Sequence, residues 1–158
     1  LLLQILTACR PNEAVKATWD EFDLEKKIWT IPSERMKMGK THRITLSEAA
    51  LAHLQEIPRL KECALLFPSP SKMQQPLSEN ALNLVVRRLG YDKDTACAHG
   101  FRATFRTWAS EQTDFPNDLC EIALAHVNKD KVEAAYQRSD MLEKRFALLN
   151  AWGEYCAS

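Results

Sequence analysis

Arg10, Lys37, His99, Arg102, His126 and Tyr136 follow one another along the chain, His99 and Arg102 in an H-x-x-R spacing. Together they are the groups needed to hold a phosphodiester and attack it without a metal. A phosphodiester shares one negative charge over two non-bridging oxygens, and guanidinium groups match it with paired donors at any working pH. During attack the phosphorane gains charge, so fixed arginines stabilise the transition state more than the ground state. His99 and Arg102, three apart, share a helix face, and a helix N-terminus there favours an anion. Of the three tyrosines, Tyr91 follows Gly90, Tyr155 continues a terminal apolar stripe, and Tyr136 stands in a polar stretch between His126 and Arg138. Tyr136 is therefore the expected nucleophile. A phenol with an ordinary pKa of about 10 needs cations and a proton acceptor beside it. Lys37 is the expected acid for the departing oxygen, with Lys40 as its rival.

Each residue alone also has an ordinary structural reading. Arg10 or Arg102 would serve as an ion-pair partner, and Glu13 either orients Arg10 or forms a simple i,i+3 pair with it. His99 would cap a helix, and His126 would sit at a helix C-terminus where the dipole favours a cation. The set, and its order, carries the weight.

These residues need a frame, and 158 residues, 46% of them apolar, suffice for one domain with a core. Twenty-one basic residues balance 21 acidic ones, which is not the composition of a DNA-coating protein. The distribution is uneven: residues 35–43 hold four basic groups and no acid, and acids gather after residue 110. Arg35, Lys40, Arg43, Arg87, Arg88 and Arg106 are the candidate DNA contacts. Five scattered cysteines without C-x-x-C spacing suit reduced thiols in a cytoplasm. No apolar run approaches about 20 residues, so no membrane span is expected. Neither a carboxylate cluster nor a Cys/His ligand spacing is present, so no metal or other cofactor is expected. The opening residues, Leu1 onward, read as helix interior, which suggests one catalytic domain, 1–158, cut from the C-terminal part of a longer chain.

Periodicity supplies the elements. A helix ends near residue 7, and Pro11 suits the first turn of the next, running to about residue 17. Trp29 and Ile31, then Ile44 and Leu46, alternate as a hairpin or small meander with its loop at residues 37–41. Ser47 starts a helix through residue 57, and residues 68–76 read as loop. Ser78 caps a helix carrying Leu82, Val85, Val86 and Leu89 and stopped by Gly90. Further helices begin near His99 and at Pro116, a short one spans residues 131–137, and a last one starts near Asp140. Leu142, Phe146, Leu149 and Trp152 are its expected buried stripe. The class is mainly α with a small antiparallel β-sheet (α+β).

The six residues, with Glu13, appear in the order of the tyrosine recombinase catalytic domain, and the chain resembles the prophage-integrase branch over nearly its whole length. Arg10 matches the first arginine, Glu13 its acidic companion and Lys37 the hairpin lysine. His99 and Arg102 match the His-x-x-Arg box, His126 the later His-or-Trp position, and Tyr136 the nucleophile. Ala8 and Ala125 depart from the pattern where glycine is common. The resemblance implies a site-specific recombinase that cleaves and rejoins double-stranded DNA through a 3′-phosphotyrosine, without ATP or metal. It further implies assembly with other protomers, as a tetramer on DNA. A type IB topoisomerase, a telomere-resolving enzyme and a catalytically dead DNA-binding remnant share the scaffold and are the alternatives.

Overall fold

The computed structural model describes residues 1–126 and 140–158, and within them helices outweigh strands around two apolar clusters. In chain order the elements are α1 (Leu2–Thr7), α2 (Pro11–Val15), β1 (Phe22–Asp23), β2 (Ile28–Ile31), β3 (His42–Thr45) and α3 (Glu48–Glu56). There follow β4 (Pro68–Ser69), β5 (Lys72–Pro76), α4 (Ala81–Arg88), α5 (Gly100–Gln112), α6 (Asn117–Ala123) and the terminal helix α7 (Leu142–Ala157). This is the expected class, mainly α with a small antiparallel sheet.

The first cluster forms because β2 alternates. Trp29 and Ile31 are fully buried, while Ile28 and Thr30 are only partly so. The sheet order is β1-β2-β3, antiparallel, with Trp29 opposite Ile44 and Ile31 opposite His42. The sheet packs with Leu3, Leu6 and Val15 from the two opening helices and Leu51 and Leu54 from α3. Ser47 caps α3, its hydroxyl accepting from the Ala50 N–H. Each such side chain, fully buried, stabilises by roughly 1.5–3 kcal/mol.

The second cluster joins α5, α6 and α7 through Phe105, Trp108, Leu119, Leu124, Leu148, Leu149 and Trp152. The Trp152 indole N–H donates to the Ile5 carbonyl at 2.8 Å, which ties the terminal helix to α1. Gly153 lets α7 lie against α3: a Cβ there would sit 2.8 Å from the Ser47 hydroxyl oxygen. The stripe of α7 is therefore spent within its own chain, but on a rotated face. Arg145, Leu148, Leu149, Trp152 and Gly153 are buried, whereas Leu142 and Phe146 are only half-buried. Arg145 is inside because it donates to the Arg43 carbonyl and faces the Asp140 carboxylate at 3.2 Å.

Two further expectations need correction. Residues 68–76 are not all loop, since β4 and β5 pair there as a small antiparallel hairpin. The exposed sequence of β5 carries no apolar alternation to announce it. The α4 helix starts at an Asn80 cap rather than at Ser78, and Val85 and Leu89 are exposed. Gly90, at φ +92°, does end it as expected. The helix expected at residues 131–137 lies outside the described residues. Among the described residues, no helix is long and apolar enough to cross a membrane.

Candidate active site

The seam between the two clusters is built on two helix ends that share one device. Ala8, at φ 50°, closes α1 in the left-handed conformation and turns the chain toward Arg10. Ala125, also at φ 50°, follows the end of α6 and turns the chain toward His126. These are the two positions where glycine was expected, and left-handed backbone is the reason for that preference. Each alanine carbonyl holds an arginine from a different segment of the chain. Arg102 donates through Nη1 to the Ala8 carbonyl, and Arg10 donates through Nη2 to the Ala125 carbonyl at 3.3 Å.

Arg10 is the N-cap of α2, with Pro11 at the first helical position. Glu13, buried in the first turn, accepts from the Arg10 backbone N–H and from its Nη1, both at 2.8 Å. The two readings of Glu13 thus coincide: the i,i+3 pair is also what aims the guanidinium. Arg102 comes from the first turn of α5 and is 5% exposed. Its Nη2 donates to the Leu124 carbonyl at 2.7 Å and lies 3.3 Å from His126 Nε2. Burial, and next the like charge of Arg10, lower the Arg102 pKa from its ordinary value. An anion bound near both guanidiniums would relieve that repulsion.

His126 sits beyond a Schellman turn, with its N–H on the Glu121 carbonyl and the Ala125 N–H on the Ile122 carbonyl. Its ring Nδ1 lies 2.8 Å from Glu121 Oε2, while Glu121 Oε1 accepts from Arg106 Nε at 2.7 Å. Burial opposes it, but the bonds from Arg106 and His126 hold the Glu121 carboxyl below its ordinary range.

His99 is the N-cap residue of α5, exposed and without a side-chain capping bond. The turn before it is fixed from two sides: the buried Gln4 amide donates to the Ala98 carbonyl at 2.8 Å, and Asn83 accepts from the Ala98 N–H at 2.9 Å. His99 and Arg10 line one cleft of about 280 Å³ together with Asn12, Asn83 and Cys97. Lys37 and Lys40 are exposed on the β2–β3 connection, which is anchored by buried Met36. At the base of that connection, His42 Nε2 donates to the Ala123 carbonyl at 3.2 Å. Burial, then the charge of Arg145, push the His42 imidazole down to about 4. His42 therefore ties the lysine-bearing hairpin to the end of α6 as a neutral ring.

Tyr136 lies outside the described residues. Tyr155 stacks on Trp152 with ring centroids 5.6 Å apart, and Tyr91 stands exposed after α4. Neither is among the groups of the seam. Most of the arginines expected to meet DNA have partners in the fold. Arg35 pairs with Glu21 at 3.0 Å and donates to the Glu13 carbonyl. Arg43 pairs with Asp140 at 2.6 Å, Arg87 donates to the Ala96 carbonyl, and Arg106 holds Glu121. Arg88 and Lys40 are exposed.

Sequence reading missed Gln4, His42 and Glu121. The partners of Gln4 and His42 lie 94 and 81 residues away, a distance no local spacing reveals. Glu121 had a visible signal, since it stands five residues before His126, the separation that a Schellman turn brings together.

Residues 1–143 match the phage integrase family. The chain is 40% identical over 152 residues to prophage integrase IntA of Escherichia coli K12, covering 96% of this chain and 36% of that protein. It is 34% identical to the integrase of enterobacteria phage P4, covering 97% of this chain and 38% of that one. Among solved structures, an integrase from mycobacterium phage Brujita superposes with a TM-score of 0.70 at 18% identity, over 94% of this chain and 48% of its own. A lambda integrase dimer bound to a COC′ core site superposes with a TM-score of 0.57 at 18% identity, over 88% of this chain and 50% of its own. The chain thus spans less than two-fifths of the length of these two curated relatives.

Proposed function

Because the chain belongs to the phage integrase family, we propose that it is the strand-cleaving and rejoining part of a site-specific prophage recombinase. The observation that carries this reading is the convergence of Arg10 and Arg102 on the turn formed by Leu124, Ala125 and His126. Tyr136 follows that turn by ten residues in the sequence. In the proposed reaction the scissile phosphate occupies the seam and its non-bridging oxygens take donors from Arg10, Arg102 and His126. The Tyr136 phenolate attacks phosphorus, the bond to the 5′ oxygen breaks, and Lys37 gives that oxygen its proton. His99, which lines a cleft with Arg10, accepts the phenol proton in this scheme. The 3′-phosphotyrosine keeps the bond energy, so the 5′-hydroxyl of a partner strand can reverse the chemistry without ATP. The DNA-bound neighbours support double-stranded DNA as substrate and a multimer as the working form, which we take to be a tetramer holding two duplexes.

A nicked duplex that loses its 5′ fragment on cleavage tests the reading. The wild-type chain is expected to give a covalent protein–DNA band on a denaturing gel, and Tyr136→Phe none. An adduct that persists in Tyr136→Phe and disappears in Tyr155→Phe would reject the assignment.

A further inference from the structure

The turn that delivers His126 also delivers its partner. A Schellman motif brings the sixth residue back over the first, and that pair is usually an apolar contact. Here the pair is Glu121 and His126, joined twice: by the backbone bond at 2.9 Å and by Oε2 to Nδ1 at 2.8 Å. Glu121 is about one-third exposed and His126 nearly half. Even full ion pairs so exposed contribute little to stability, with a median of roughly 0–1 kcal/mol. Stability therefore does not explain why a polar pair occupies a position that favours an apolar one.

The geometry explains it in another way. An imidazole has its two nitrogens on opposite edges, so a carboxylate on Nδ1 fixes where Nε2 points. With Glu121 on Nδ1, His126 Nε2 lies 3.3 Å from Arg102 Nη2, on one of the two guanidiniums that the proposed function gives to the phosphate. Arg106 holds the other carboxylate oxygen at 2.7 Å, so Glu121 itself is fixed. We propose that Glu121 is a positioning residue for the strand-transfer reaction, aiming His126 Nε2 at the scissile phosphate, with Arg106 as the brace behind it. The proposal rests on the reading of the seam as the phosphate site. A guanidinium only donates, so in the free protein Nε2 presents its lone pair to Arg102 and the proton sits on Nδ1. When a phosphate oxygen replaces that contact, Nε2 takes up a proton from the buffer acid in solution and keeps it, donating a hydrogen bond to the oxygen. The charge of Glu121 balances the resulting imidazolium. Arg106 is then a structural brace of the site rather than a groove contact.

The test is a double-mutant cycle on the full chain, read as the rate of covalent adduct formation on the nicked duplex, with melting temperature recorded for each variant. Glu121→Ala is expected to slow cleavage at least tenfold with little change in melting. Glu121→Gln, whose amide oxygen still accepts from Nδ1, is expected to recover part of that loss. In a His126→Ala background, Glu121→Ala is expected to add less than twofold. Equal loss in both backgrounds, or no loss in either, would overturn the proposal. Nitrogen-15 spectra of the His126 ring in the DNA-free protein separate this failure from failure of the functional reading. They are expected to show the proton on Nδ1 in the wild type and a tautomer mixture in Glu121→Ala. A ring unchanged by Glu121→Ala overturns the positioning role whatever the activity, whereas an intact ring pattern without any adduct from the wild type rejects the strand-transfer reading.

Discussion

The arginine seam and the β2–β3 connection carry the two halves of the proposed chemistry on opposite physical terms. In the seam, Arg102 is 5% exposed and each of its two terminal nitrogens is held by a carbonyl through one of its two N–H groups. On the connection, Lys37 is exposed, and the connection is tied to the seam at its two ends, by Arg35 on the Glu13 carbonyl and by His42 on the Ala123 carbonyl. Charge stabilisation gains from donors fixed before substrate arrives, because nothing has to reorganise as the phosphorane forms. A proton donor to a leaving group has a different requirement: it must reach an oxygen that moves. One region is built for rigidity and the other for reach.

That contrast predicts that damage to the seam harms both folding and chemistry, whereas damage to the connection harms chemistry alone. The largest effect is expected at Arg102. Arg102→Ala should lower the cleavage rate by roughly 10²–10³-fold, the usual cost of one preorganised donor. It should also lower the melting temperature, since the Ala8 and Leu124 carbonyls lose their partner at about 1–3 kcal/mol for each buried group left unpaired. Full activity would break the comparison at its root. Next comes Lys37→Ala, with a rate loss of order 10²-fold and an unchanged melting curve. A 5′-bridging phosphorothiolate, whose sulfur leaves without a proton, should restore Lys37→Ala but not Arg102→Ala. Rescue of Lys40→Ala instead would move the acid to the other lysine.

One link between the regions should respond to acid. His42 has a folded value of about 4 against an ordinary 6.5, and Arg145, Arg10 and Glu13 are the charges that face it. Its value is depressed on folding, so its contribution is complete above pH 6.5 and is lost as pH falls toward 4. The loss amounts to about 3 kcal/mol. Thermal unfolding followed from pH 7 to 4 should show this decline, and His42→Gln, which keeps a donor for the Ala123 carbonyl but does not titrate, should flatten it. An equally steep decline in His42→Gln would assign the acid sensitivity elsewhere. The smallest effect is expected at the alanines. Ala8→Gly or Ala125→Gly removes left-handed strain of about 1–2 kcal/mol, offset by roughly 0.5–1 kcal/mol of added chain entropy. A gain of a few degrees at most in melting temperature is expected, and a loss would show that the left-handed turns carry no strain.

The contrast also marks what was legible in the sequence. Helices such as α3 and α5 were readable because their apolar spacing and the Ser47 cap are local signals. The β2–β3 hairpin was readable because Trp29, Ile31, Ile44 and Leu46 share one buried face. The arginines were harder to read. Arg35, Arg43, Arg87 and Arg106 appear in sequence as a basic surface, yet each is turned to an acid or a carbonyl brought close by tertiary folding. His42 looked like one more polar residue in a basic run, because burial by α6 has no signature in strand spacing. The rotation of the α7 face has the same origin: Arg145 is drawn inside by Asp140 and the Arg43 carbonyl, which no helical periodicity encodes.

The bond from Trp152 to Ile5 closes the last helix on the first, and it bears on the order in which the protein acquires its activity during synthesis. Contacts between distant parts of a chain form late, since the loop between them must be closed first. Phe105 and Trp108, on the helix that carries Arg102, pack against Trp152 at 5.4 and 5.1 Å. A nascent chain still lacking α7 has the residues of the seam but not the wall that presses α5 toward α1. Under the strand-transfer reading proposed above, competence to cut DNA therefore waits until α7 has docked on α1 and α5.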